Sequence, residues 1–192
     1  MRYLLILTFL AGCATTTPPP SPAPPAEDAA PWNASAAVSR TAAPAVLLAQ
    51  WEQAENRATC APLTIVDFGP RASHATARRA NFSGGWAVAW DAPGLPGRDA
   101  SGSPCETCGR GVFGIAGTGT TAAGGGAWNP GNELEWAGEN RATYGLEGGT
   151  GPNWLANVQV DDQRCLYQVW SFLGRDHLEH LIENIRRVDS EF

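Results

Sequence analysis

Hydrophobic positions along the chain switch between a helical and a strand-like period. Between Thr41 and Ala58 the residues Leu47, Trp51, Ala54 and Ala58 share one stripe, and Pro44 suits a first turn, so a helix is expected there. Leu178, Leu181, Ile182, Ile185 and Val188 fall at i, i+3, i+4, i+7 and i+10, which predicts a second, amphipathic helix. Asp176 and Glu179 suit its dipole-positive start, and Arg186 and Arg187 its end.

The stretch between them reads as strands. Leu63 to Phe68 is strand-like and stops at Gly69-Pro70. From Gly85 to Trp90 the chain alternates strictly, with Trp86, Val88 and Trp90 on one face and Ala87 and Ala89 on the other. Val112 to Thr118 is a further strand containing glycines. Leu134–Ala137 and Arg141–Tyr144 flank Gly138-Glu139-Asn140 as a hairpin, and Leu155–Val160 and Cys165–Phe172 flank Asp161-Asp162-Gln163-Arg164 as a second. Short connections between neighbouring strands imply antiparallel pairing. The expected fold class is α+β, an antiparallel sheet of about 5–7 strands with an N-terminal and a C-terminal helix packed on it.

The first residues belong to a different pattern. Arg2 precedes an apolar run from Tyr3 to Leu10, too short for a mature membrane span of about 20 residues and suited to a signal peptide. It ends in Leu10-Ala11-Gly12-Cys13, which resembles the lipobox of bacterial lipoproteins. The resemblance implies cleavage before Cys13, lipidation of its sulfur and acylation of its new amine. Several acyl chains anchor a protein stably, since each buried CH₂ contributes about 0.8 kcal/mol. In that family an Asp directly after the Cys tends to retain the protein at the inner membrane. Here the position is Ala14, so the resemblance favours the outer membrane, facing the periplasm. Ala14 to Pro31 holds seven prolines in 18 residues and reads as an extended tether. The expected organisation is a signal peptide at 1–12, a lipidated Cys and tether at 13–31, and one globular domain at 32–192.

Charge narrows the function classes. The formal net charge is −6, and all 13 Lys+Arg residues are Arg. No basic face for phosphate neutralisation is expected, so the composition argues against nucleic acid as a partner. Without Lys there is no Walker A loop, Schiff-base lysine or Ser–Lys dyad. Nor is there a G-x-S-x-G elbow.

Beyond Cys13, the four cysteines Cys60, Cys105, Cys108 and Cys165 form an even set, which in an exported chain reads as two disulfides with three connectivities. Cys105 and Cys108 share one loop, which leaves Cys60 to pair with Cys165. The competing readings are a thiol oxidoreductase or zinc site at Cys105 and Cys108. The first needs a following helix, yet Gly109-Arg110-Gly111 and a strand follow; the second needs two further ligands.

Other candidates have bland counterparts. His177 and His180 form an i, i+3 pair on the last helix, but the apolar stripe puts His180 and Glu183 on the solvated side, where Glu183 and Arg187 make an ordinary i, i+4 pair. Glu133 and Glu135 share a strand face, more often a wet edge than a glycosidase pair. The glycine-rich Gly117–Pro130 region lacks the context of a phosphate cradle and reads as a loop of the kind that carries binding function. Among eight Trp residues, Trp128 (beside Asn129) and Trp154 (beside Asn153) sit at loop ends, where rings either stack on sugars or plug the sheet.

The sequence therefore points to a membrane-anchored cell-envelope lipoprotein whose domain binds a protein or glycan partner without catalysis. No cofactor and no metal are expected. The alternative is a periplasmic enzyme, a hydrolase or a C-x-x-C oxidoreductase.

Overall fold

The computed structural model describes residues 28–81, 84–92, 103, 112–121, 131–149 and 153–189. Its strands are β1 (Leu63–Ile65), β2 (Thr76–Arg79), β3 (Trp86–Asp91), β4 (Phe113–Thr121), β5 (Asn132–Glu135), β6 (Arg141–Leu146), β7 (Trp154–Gln159), β8 (Cys165–Ser171) and β9 (Ile185–Arg187). The two α-helices are α1 (Ala45–Gln53) and α2 (Arg175–Glu183). The architecture is α+β. Seven strands form one sheet in the order β2-β3-β4-β8-β7-β6-β5, every neighbouring pair antiparallel, while β1 and β9 form a separate two-stranded sheet.

Alternation sorts the side chains of the large sheet onto two faces. Trp86, Val88, Trp90, Phe113, Ile115, Ala142, Tyr144, Ala156, Val158, Tyr167 and Val169 join Leu47 and Trp51 of α1 and Leu178, Leu181 and Ile182 of α2 in one buried cluster. Removing this much apolar surface from water is the main driving force for the fold. Aromatic packing is dense there: Trp90 stacks on Phe113 at 5.4 Å, and Phe68 lies 5.0 Å from Phe113 and 5.1 Å from Trp90. Ala87, Ala89, Ala116, Leu155 and Trp170 make a smaller buried cluster on the opposite face. Further along that face the side chains turn polar. Gln168, Asn157, Thr143 and Glu133 are successive cross-strand neighbours, and so are Gln159, Arg141 and Glu135.

Both expected helices are shorter than their periodicity suggested. The first starts only at Ala45, because a proline pushes its predecessor out of the helical region, and Ala43 is extended at ψ 147°. Arg40–Ala42 forms a 3-10 turn instead, and the helix ends where Ala54 becomes extended. The last helix stops at Glu183, and Ile185–Arg187, expected to continue it, is strand β9 paired with β1. Asn184 ends the helix: its amide bonds the carbonyls of His180 and Leu181, and its side chain returns to the His180 carbonyl at 2.9 Å. Ile185 and Val188 are still buried, as the apolar stripe required, but from an extended backbone. Arg187 accordingly pairs with Asp162 rather than Glu183.

Cys60 and Cys165 form a disulfide with Cα atoms 5.4 Å apart, tying the chain before β1 to the start of β8. Cys105 and Cys108 lie outside the described residues, as do Cys13 and the tether as far as residue 27.

Candidate functional site

Strand register places the two sheet hairpin turns together. Glu135 pairs with Arg141, and Arg141 with Gln159, so the turns at 136–140 and 160–164 emerge at the same end of the sheet. The end of β4 joins them, since Thr121 pairs with Cys165. Asp28–Asn33 closes the group from outside, with Ala137 N–H donating to the Asp28 carbonyl at 3.1 Å.

Asn140 organises this end. Its Oδ1 accepts from the Trp32 indole at 2.7 Å and from Asp161 N–H at 3.1 Å, while its Nδ2 donates to the Ala137 carbonyl at 2.7 Å. One amide thus satisfies a buried indole, a neighbouring hairpin and its own turn, leaving none of these groups orphaned. Trp32 is fully buried and meets Trp136 edge-on at 4.9 Å. Gly138 turns the hairpin at φ 76°, and a Cβ there would crowd the Asp161 carboxylate, so the tight approach of the two turns requires glycine.

Three clefts open here. The first, about 240 Å³, lies between Trp32, Asn33, Asn140, Asp161, Asp162 and Arg187. Arg187 clamps Asp162 through both terminal nitrogens, at 2.7 and 2.5 Å. That clamp holds the Asp162 carboxyl below the usual carboxylate range and raises Arg187 further. The second, about 650 Å³, runs beside it past Asp28, Glu135, Trp136, Glu139, Arg141 and Gln159. Gln159 Oε1 fixes the Arg141 guanidinium with bonds of 3.1 and 2.8 Å. Carboxylates outnumber cations along this cleft, and a half-buried Trp136 forms part of its wall. The third, about 240 Å³, lies beyond the disulfide, between Asn56, Thr59, Thr118, Thr120, Thr121 and Arg164.

The remaining chemistry-bearing groups are packed away from this end. His177, buried, has Nε2 3.0 Å from the Phe68 carbonyl and Nδ1 2.8 Å from Ser171 Oγ. A carbonyl only accepts, so Nε2 carries the proton and Nδ1 accepts from the hydroxyl. Ser171 is fully buried and also accepts from Leu173 N–H at 2.9 Å, so this Ser–His contact braces α2 rather than facing solvent. Burial lowers the His177 pKa. Tyr144 donates to Glu179 Oε1 at 2.5 Å, with Arg175 Nε 2.8 Å from the same oxygen, and both bonds lower the Glu179 carboxyl. His180, half-exposed on the outer side of α2, lies 3.4 Å from Asp67. No cluster of three or more His, Cys, Asp or Glu groups suited to a metal occurs among the described residues.

The sequence candidates divide. Glu133 and Glu135 share the polar sheet face, and Glu135 lines the second cleft. Trp154 and Asn153 lie at the opposite end of the sheet, since Trp154 pairs with Leu146. Trp154 packs against the main core, and buried Asn153 donates to Glu147 Oε2 at 2.6 Å. Trp128 and Asn129 lie outside the described residues; β4, expected to end at Thr118, runs on across a bulge through residues 119–121, expected as loop. Trp32, Trp136, Arg187 and Arg164 escaped the sequence reading as site residues. The available clue was that turns separated by two strands of a meander must emerge at the same end. Compared with protein-family models, curated proteins and solved structures, the chain matches none.

Proposed function

We propose that this is a lipid-anchored protein of the cell envelope whose domain is a non-enzymatic binding module, working through the hairpin end of its sheet. Anchoring rests on the lipobox-like Leu10–Cys13 and the proline-rich tether that follows. The outer membrane is the proposed site, from Ala14. The Cys60–Cys165 bond supports an oxidising compartment. In this reading α1 and α2 both pack on one face of the large sheet, leaving the hairpin end open.

The observation that carries the binding role is the convergence of three clefts on one end, braced from below by the Asn140 hydrogen bonds. The second cleft sets an indole wall beside carboxylates, amides and one held guanidinium, a combination suited to the apolar face and hydroxyl rim of a sugar. A glycan is therefore the proposed partner.

Two measurements test this. Wild-type protein should incorporate labelled palmitate and sediment with outer-membrane fractions, and Cys13→Ser should abolish both. The full chain in nonionic detergent should co-sediment with isolated peptidoglycan, and Trp136→Ala should weaken that in protein that circular dichroism shows to remain folded. Failure of the first removes the anchor, and failure of the second removes the glycan and leaves a protein partner to seek by crosslinking from the same cleft.

A further inference from the structure

The third cleft has a different chemistry from its neighbours, and we propose that it binds a phosphoryl group, independently of whether the chain is lipid-anchored. The cleft sits where β4 runs past its bulge. Its lining comprises Asn56 and Thr59 from the turn after α1, Thr118 to Thr121 from β4, and Arg164 with Cys165 at the head of β8. Among the described residues no carboxylate lines it, although the chain carries 19 acidic residues against 13 arginines.

Arg164 supplies the charge. Half of the described arginines are committed to another side chain, Arg40 to Glu52, Arg78 to Asp91, Arg175 to Glu179, Arg187 to Asp162 and Arg141 to Gln159, and Arg57, Arg71 and Arg186 bond backbone carbonyls. Arg164 is exposed, and its guanidinium has no hydrogen-bond or ion-pair partner among the described residues. A planar fork of donors left open above a pocket is the geometry that oxyanions engage in bidentate fashion.

Hydroxyls complete the donor set. Thr120 and Thr121 are exposed, with side-chain oxygens that make no described hydrogen bond, whereas Thr118 is buried and already donates to the Leu166 carbonyl at 2.9 Å. The walls are fixed. Arg164 N–H bonds the Thr59 carbonyl at 3.1 Å, and Asn56 Nδ2 bonds the Thr118 carbonyl at 2.7 Å. The Cys60–Cys165 disulfide holds the two sides covalently. Among neighbouring charges, Arg57 reaches back to the Glu52 carbonyl, Glu55 lies beside Gly84 and outside the lining, and Asp162, two residues from Arg164, is held by Arg187. A rigid pocket with one open guanidinium and free hydroxyls suits a tetrahedral oxyanion and orders few new side chains on binding.

The test titrates inorganic phosphate into the full chain in nonionic detergent, following the backbone amide shifts of Gly119, Thr120 and Thr121 and the Arg164 Nε–H. A second arm replaces free phosphate by detergent micelles doped with phosphatidylglycerol, separating a free anion from a lipid headgroup. Saturable shifts in either arm that move about tenfold higher in concentration in Arg164→Gln support the site. Thr120→Val with Thr121→Val should weaken binding severalfold. Arg164 holds nothing through its side chain, so Arg164→Gln keeps the wild-type Tm, which confirms that the comparison reads binding. Absence of a saturable response in both arms, or equal binding by Arg164→Gln, overturns the proposal.

Discussion

The indole N–H of Trp32 donates to Asn140 Oδ1 at 2.7 Å, joining residues 108 apart in sequence. The same oxygen accepts from Asp161 N–H, so one side chain links the chain entering the domain to both hairpin turns. Replacing Asn140 by alanine leaves a buried indole donor without an acceptor, which costs about 1–3 kcal/mol. Urea unfolding of Asn140→Ala should show that loss, and Trp32→Phe in the same background should add little, because the orphaned donor is then gone. Full additivity of the two substitutions would mean that the bond carries no coupling.

The disulfide should carry a large share of the stability. It closes a loop of 105 residues, for which the chain-entropy model gives about 4–5 kcal/mol. Cys60→Ala with Cys165→Ala, or reduction of the native protein, should lower the urea midpoint by a comparable free energy. A change under about 1 kcal/mol would show that the denatured chain is already held together elsewhere.

Acid should act in two separate windows. Burial depresses the His177 pKa from its ordinary 6.5, so between the folded and unfolded values the unfolded chain binds the additional proton. Stability is therefore full above about 6.5 and falls as the pH drops below it, levelling off under the folded pKa. Protonation would also turn Nδ1 into a donor toward Ser171 Oγ and displace the hydroxyl proton from its acceptor. Glu179 and Asp162, both depressed, add a second loss that begins as the pH falls through the ordinary carboxylate values. Tm measured from pH 8 to 3 should show both steps. His177→Gln should remove the upper one and keep the lower.

Gly114 is a packing requirement. A Cβ there would run into the Trp170 ring and the Val88 carbonyl oxygen, and the carbonyl belongs to the adjoining strand and cannot swing away. Gly114→Ala should cost about 1–3 kcal/mol as overpacking does, read by thermal unfolding. An unchanged Tm would show that the second sheet face yields more readily than its burial implies.

How far the sequence carried this fold depended on whether the controlling interactions were local. The alternation of Trp86, Val88 and Trp90 and the two hairpins were legible, because period and turn chemistry are fixed by neighbours in sequence. β9 was not. Ile185 and Val188 satisfy a helical stripe and a buried strand equally well, and the choice fell to Asn184 and to pairing with β1, more than 100 residues away. β2 was hidden for a related reason, since its Arg78 bonds Asp91 at 2.5 Å across an edge whose partner alone gives it a side. The clefts were the least legible, because they arise from register rather than motif. Trp32, Asn140 and Arg187 meet only once the sheet has set its order.

The pairing of β1 with β9 has a consequence for timing. Val38 N–H bonds the Arg187 carbonyl at 2.8 Å, Asp189 N–H bonds the Val38 carbonyl at 2.9 Å, and Val188 N–H bonds the Pro62 carbonyl at 2.9 Å. Segments made early are thus zipped to a segment made more than 120 residues later, with the disulfide spanning much of the same interval. The small β1–β9 sheet therefore cannot close until the last of these segments exists, and such non-local closure is slow. Whatever the large sheet has formed by Ser171, the segment around Val38 and β1 stays unpaired until residues 185–189 have been made.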